Sequence, residues 1–206
     1  GIDITAEIKY EGVKPDEGDV CYRISLKGLR GGHSGLEINE GRANANKLMV
    51  RFMYDAVIET EARLATWNGG NMRNAIPREC EVVISIPAEN AEALQELVKE
   101  HEAMYNEEYN AVETPITLTA EKVDNVEELV PEEIQDGLVR AIYACQNGVT
   151  RMIPTVSDTV ETSSNLAIVT IDSREASIKI LARSSSDSMK EYLANSLESC
   201  FAMIGM

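Results

Sequence analysis

The sequence predicts an α+β protein, an antiparallel sheet with helices on one of its faces. Three observations carry this. "DVCYRISLKGL" at 19–29 and "ECEVVISIP" at 79–87 alternate apolar and polar residues, the period of half-buried strands. "GRANANKLMVRFMYDAVIE" and "AENAEALQELVKEHEAMYNEEY" space their apolar residues as one face of a helix. Strand and helix signals follow one another as β-α-β-β-α-β, the split βαβ, ferredoxin-like plan.

The chain opens on "GIDITAEIKY", strand-like alternation with no initiator Met, which reads as the start of an excised piece. In the strand at 19–29, Val20, Tyr22, Ile24 and Leu26 share a face. A glycine cluster, "GLRGGHSG", separates it from a helix whose stripe is Ala45, Leu48, Met49, Phe52, Met53 and Ala56. "ARLATWNGGNMRNAIPREC" reads as a strand, a Gly-Gly turn and a second stretch ended by Pro77. Pro87 ends the strand after it. The next helix has Ala91, Leu94, Leu97, Val98 and His101 on one stripe, which puts His101 at a core edge or against a helix turn. "TPITLTAEKV" closes this first lobe at residue 123.

Residues 124–206 predict a partial second copy, αββα, packed on the first. Pro131 suits a first helical turn, and Ile134, Leu138, Ile142 and Cys145 mark its buried stripe. Asn147-Gly148 stops that helix. "DTVETSSNLAIVTID" and "ASIKILARSSSDS" read as strands. Serines and Asp187 then cap a last helix with the stripe Met189, Leu193, Leu197 and Cys200. The two β-β-α units echo each other, and that register sets Asn74 opposite Asn165.

Composition narrows the function. There are 35 acidic residues against 19 basic ones, a formal net charge of −16. Such a surface repels phosphate backbones and anionic headgroups, which argues against nucleic acid and membrane as partners. No apolar run approaches the roughly 20 residues of a membrane span. Cys21, Cys80, Cys145 and Cys200 are widely spaced, as in a reduced cytoplasmic protein. His33 and His101 are the only histidines, too few for a His-rich metal site within this chain.

Four residues could carry chemistry. His33 lies within "GGHSG", where glycines let another molecule approach and an imidazole can donate to an oxyanion or a carboxylate. The same loop could equally be a turn whose His caps the following helix. Ser34 is a poor nucleophile for His33, because adjacent residues seldom point at one another and no third orienting acid is evident. Arg183 ends a strand before a serine-rich loop, placed either to hold a carboxylate bidentately or to pair with a surface acid. Asn74 and Asn165 could orient a peptide or satisfy their own turns.

"LKGLRGGHSGLEINEGRANANKLMVRF", "NGGNMRNAIPRE", "VETSSNLAIVTI" and "ARSSSDS" together resemble the lid domain of bacterial aminoacyl-histidine (Xaa-His) dipeptidases, in the dinuclear-zinc aminoacylase/carboxypeptidase superfamily. The likeness runs in order along nearly the whole chain. It implies a lid inserted in a catalytic domain of the same polypeptide, and that domain holds two zinc ions. None of the family's metal-binding segments occurs in residues 1–206, so no metal ligand and no cofactor is expected here. By the same resemblance His33 is the lid histidine that stabilises the tetrahedral intermediate, and Arg183 grips the substrate's terminal carboxylate. Either Asn165 or Asn74 contacts the substrate backbone. A sheet edge and a helix make a homodimer contact in related lids, which two lobes could instead satisfy within one chain. The expectation is therefore the substrate-clamping lid of a cytoplasmic metallopeptidase acting on dipeptides, inactive by itself. The rival is a non-catalytic ferredoxin-like oligomerisation or small-molecule-binding module.

Overall fold

The computed structural model describes residues 1–206. Its strands are β1 (Ile2–Lys9), β2 (Asp19–Lys27), β3 (Gly32–His33), β4 (Arg63–Gly69), β5 (Ala75–Ile76), β6 (Cys80–Pro87), β7 (Thr117–Val123), β8 (Gly148–Met152), β9 (Val160–Ile171) and β10 (Glu175–Ser184). Its helices are α1 (Ala45–Thr60), α2 (Ala91–Glu108), α3 (Glu132–Ala144) and α4 (Asp187–Ala202). One antiparallel sheet runs in the order β1-β10-β9-β4-β6-β2-β7, with β8 added to β9. β3 and β5 form a separate two-stranded ribbon.

The α+β class and the antiparallel sheet follow the sequence pattern. The four strands β4-β6-β2-β7 and the helices α1 and α2 make the βαββαβ unit. Alternation decides which face is covered. Tyr22, Ile24 and Leu26 of β2 are buried, as are Ala176, Ile178, Ile180 and Ala182 of β10. They meet Leu48, Met49, Phe52 and Met53 of α1, and Leu193 and Leu197 of α4, in one continuous core. Burying a Leu or Phe side chain there contributes about 1.5–3 kcal/mol.

Three arrangements were not readable from periodicity. β1 pairs with β10, Ile4 opposite Ile180, so the first strand joins the sheet next to the last. β4 and β9 pair through Trp67 with Ile171 and Gly69 with Val169, which makes one sheet of the two halves. β8 pairs with the start of β9, where the sequence suggested only a polar entry.

The "GRANANKL" segment is the hub of this junction. The Asn44 side chain caps α1 by accepting from the Asn46 and Lys47 amides, and it donates to the Leu166 carbonyl of β9 at 3.0 Å. Asn46, fully buried, accepts from the Trp67 indole at 3.1 Å and donates to the Gly69 carbonyl at 3.2 Å. Lys47 donates to the Ile142, Tyr143 and Cys145 carbonyls at 2.7–2.9 Å, which caps the end of α3. His101 lies buried between Leu97 O at 2.9 Å and the Asp55 carboxylate at 2.8 Å, with Phe52 and Tyr105 edge-on to its ring. Its place is the helix layer, away from the ribbon. No helix is long and apolar enough to cross a membrane.

Candidate functional site

The helices cover the face of β9 and β10 that carries Ala182 and Ile180, so the alternating residues project from the opposite face. On that opposite face Arg183 pairs with Ser163, and Leu181 with Asn165. The β3–β5 ribbon lies against it. Asn165 is 1% exposed and is the sixth residue of β9. Its amide nitrogen donates to the Arg73 carbonyl at 3.1 Å and the Ala75 carbonyl at 2.9 Å. Ala75 in turn pairs with His33. The chain of contacts therefore runs from the sheet through Asn165 to β5, and from β5 to the histidine.

The loop fixes the ring of His33. Its Nδ1 accepts from the backbone amides of Gly35 at 2.9 Å and Leu36 at 3.2 Å. A nitrogen that accepts twice carries no proton, so the ring proton of the neutral form sits on Nε2. That nitrogen has no protein partner, which leaves it as a donor for a bound group. His33 thus caps its own turn and not the following helix, whose cap is Asn44, and this turn cap is what presents the other nitrogen.

Arg183 meets the same loop. A methyl group on Gly35 would lie 3.1 Å from Cε1 of His33 and 3.2 Å from both Cζ and Nε of Arg183. Only glycine lets the imidazole and the guanidinium flank one residue this closely. Arg183 makes no salt bridge, and its Nε is buried without a hydrogen-bond partner. Oδ1 of Asn165 and Oγ of Ser34 are likewise buried and unpartnered. Buried polar atoms are rarely left unpaired, so this cluster has hydrogen-bonding capacity that the chain itself does not use.

Asn74 behaves differently. It is exposed in the turn before β5, and its carbonyl accepts from the Ser34 amide at 2.9 Å. Its contribution to the loop is main-chain. Topology also sets β4, not the Asn74 turn, in the place that matches β9, because β4 and β9 each precede a hairpin partner and a helix.

Sequence reasoning missed the acids that hold the loop. Glu37 accepts from the His33 amide at 2.6 Å. Arg42 donates to the Gly31 carbonyl at 2.8 Å, to Glu37 at 3.2 Å and to Glu40 at 2.6 Å. The His33 amide first, and then Arg42, hold the Glu37 carboxyl below its ordinary range. The available signal was four-residue spacing, His33 to Glu37, inside a turn. It is faint in a chain this rich in acids.

A cleft of about 710 Å³ borders β5 of the ribbon and is lined by Lys27, Asn68, Asn71, Arg78, Glu79 and Glu81 among others. It contains neither His33 nor Arg183. No group of three or more His, Cys, Asp or Glu residues is arranged to hold a metal ion.

Comparison with known proteins bears on the family and the fold. Residues 24–113 match the peptidase dimerisation domain family. The chain is 36% identical over 205 residues to the cytosol non-specific dipeptidase of Escherichia coli strain K12, covering all of this chain and 42% of that protein. The crystal structure of aminoacylhistidine dipeptidase from Vibrio alginolyticus superposes with a TM-score of 0.92 at 35% identity, over 98% of this chain and 42% of that one. The chain thus spans less than half the length of either relative. Sequence and fold together set residues 24–113 among the peptidase dimerisation domains, and the chain as a whole is similar to part of each of these two dipeptidases.

Proposed function

We propose that the chain is the substrate-closing lid of a cytoplasmic, zinc-dependent dipeptidase of the Xaa-His type. The observation that carries this is the convergence of His33 and Arg183 on Gly35, with buried and unpartnered polar atoms around them. A dipeptide offers the matching chemistry. Its terminal carboxylate suits a planar guanidinium, which binds both oxygens at once. Its carbonyl oxygen gains charge as the tetrahedral intermediate forms, and Nε2–H of His33 is a donor suited to that charge. Oδ1 of Asn165 is free to accept from a peptide N–H. Asn74 serves through its carbonyl, as a support of the loop.

In this reading the two zinc ions belong to the catalytic domain of the same polypeptide. When bound there they would polarise the scissile carbonyl. Closing the lid brings His33 and Arg183 onto the substrate and excludes water. Residues 1–206 alone are expected to hydrolyse nothing. The reading also takes the chain as two lobes, 1–123 and 124–206, with β1 lent to the second. In this reading the two lobes share one sheet through the β4–β9 pairing. The matched family is described by dimerisation, which supports a homodimer of the full-length protein.

The test is dipeptide hydrolysis by the full-length protein with His33→Ala and Arg183→Ala, kcat and KM measured separately. Loss of a transition-state donor lowers kcat by about 10²–10³. Loss of the carboxylate clamp mainly raises KM. Two variants indistinguishable from the parent would overturn the assignment and favour a non-catalytic oligomerisation or small-molecule-binding module. Metal-dependent turnover by residues 1–206 alone would overturn the lid reading as well.

A further inference from the structure

The loop that presents His33 begins and ends on one carboxylate. Glu113 lies in the connection between α2 and β7, far from the loop in sequence. Its Oε2 accepts from the Arg30 amide at 2.8 Å, and its Oε1 accepts from the Ala43 amide at 3.0 Å. Arg30 and Ala43 bracket residues 31–42, the whole segment that carries His33, Gly35, Glu37 and Arg42. The same connection holds this side of the loop twice more. The Arg30 guanidinium donates to the Val112 carbonyl at 3.4 Å, and the Thr114 hydroxyl donates to the Gly28 carbonyl.

We propose that Glu113 is a positioning residue for His33, a buckle whose two oxygens close the loop at both ends. The argument is one of geometry. A loop pinned at only one end keeps its neighbours in range but not its tip in place. Two backbone amides some thirteen residues apart, held by the two oxygens of one rigid carboxylate, fix the separation of the loop's ends. Within that closed frame Glu37 holds the His33 amide, Arg42 holds Glu37, and the Gly35 and Leu36 amides hold the ring. A donor to a developing oxyanion must be correct to a fraction of an ångström, and a displacement of about 1 Å can cost up to 10²-fold in rate. Glu113 touches none of the candidate substrate-binding atoms, so its effect has to pass through the loop. The inference rests on the proposed role of His33 only where turnover is concerned.

Glu113→Gln in the full-length protein is the test. The amide keeps the shape of the carboxylate, but its nitrogen cannot accept, so one of the two main-chain bonds is lost. Hydrogen exchange read by mass spectrometry reports the posture of the ring, because the Gly35 and Leu36 amides are bonded to Nδ1 of His33. The expected result is exchange in residues 31–42 about tenfold faster, with β6 and β9 unchanged. kcat falls about tenfold while KM stays within about twofold. Unchanged protection in residues 31–42 overturns the proposal. So does an increase spread equally over β6 and β9, which would mean that Glu113 only stabilises the fold. If His33→Ala itself leaves kcat unaltered, the role of His33 fails, and exchange still decides whether Glu113 buckles the loop.

Discussion

Asn165 holds Ala75, the residue that pairs with His33, through a 2.9 Å bond from its side-chain nitrogen to the Ala75 carbonyl. The same nitrogen takes the Arg73 carbonyl at 3.1 Å. Asn165→Ala leaves both carbonyls unpaired beneath the ribbon. The expected loss is about 1–3 kcal/mol in denaturant unfolding of the full-length protein. Asn165→Asp is expected to be worse, because a carboxylate there faces two carbonyl oxygens with no proton to offer. If the two variants unfold at the parent's midpoint, the ribbon does not depend on this residue.

Gly35→Ala tests the convergence of His33 and Arg183 by filling the space between them. The added methyl lies at 3.1–3.2 Å from both side chains, so one or both must shift by a few tenths of an ångström. Gly35 is half-buried, and the crowding should cost no more than about 1–3 kcal/mol of stability. kcat/KM for dipeptides is expected to fall about tenfold or more, since both proposed contacts are displaced at once. Thermal unfolding and steady-state kinetics on the same sample separate the two effects. Full activity at unchanged stability would show that the pair need not meet across Gly35.

Much of this candidate site is legible in the sequence. The glycine cluster around His33 and the strand-end position of Arg183 are local patterns, and the structure brings the two together. Their distance in sequence hid the reason. They meet because β9 and β10 turn their helix-free face toward a ribbon of only four residues, too short to leave a period. The edge position of β1 was illegible for a similar reason. Alternation in "IDITAEIK" identifies a strand and its buried face but not its neighbour, and the neighbour is nearly the whole chain away. Glu37 and Glu113 are two acids among 35, and nothing in spacing separates a carboxylate that accepts main-chain amides from one that is only solvated.

The Glu37 contact carries a pH dependence whose sign follows from the direction of its shift. The carboxyl is held below its ordinary value of 4.5 when folded, first by the His33 amide and then by Arg42. Its stabilisation of the loop is therefore complete above that ordinary value and is lost as pH falls through the depressed one. Exchange in residues 31–42, corrected for the intrinsic pH dependence of exchange, should show protection that weakens below about pH 4.5. Glu37→Gln should remove this dependence and leave a loop that is looser at neutral pH. Protection that does not change with pH in the parent would mean that the Glu37 carboxylate is not what holds the His33 amide.

Lys47 supplies a control outside the site. Its ammonium caps three carbonyls at the end of α3, those of Ile142, Tyr143 and Cys145. Burial pushes its pKa below the ordinary lysine value, while the nearby Cys145 and Cys200 thiols act the other way. Lys47→Met keeps the aliphatic stem and removes every donor. The last turn of α3 then ends on unpaired carbonyls, with a loss of about 1.5–3 kcal/mol for bonds from a charged donor. The contacts of Asn44 to the Asn46 and Lys47 amides are main-chain on the Lys47 side, so the α1 cap survives the substitution. The His33 loop is anchored through Glu37, Arg42 and Glu113, none of which bonds to the Lys47 side chain. Lys47→Met should therefore lower the unfolding midpoint while kcat per folded molecule stays at the parent's value. A matching fall in kcat would mean that the junction of α1 with α3 is coupled to the loop by contacts other than these hydrogen bonds.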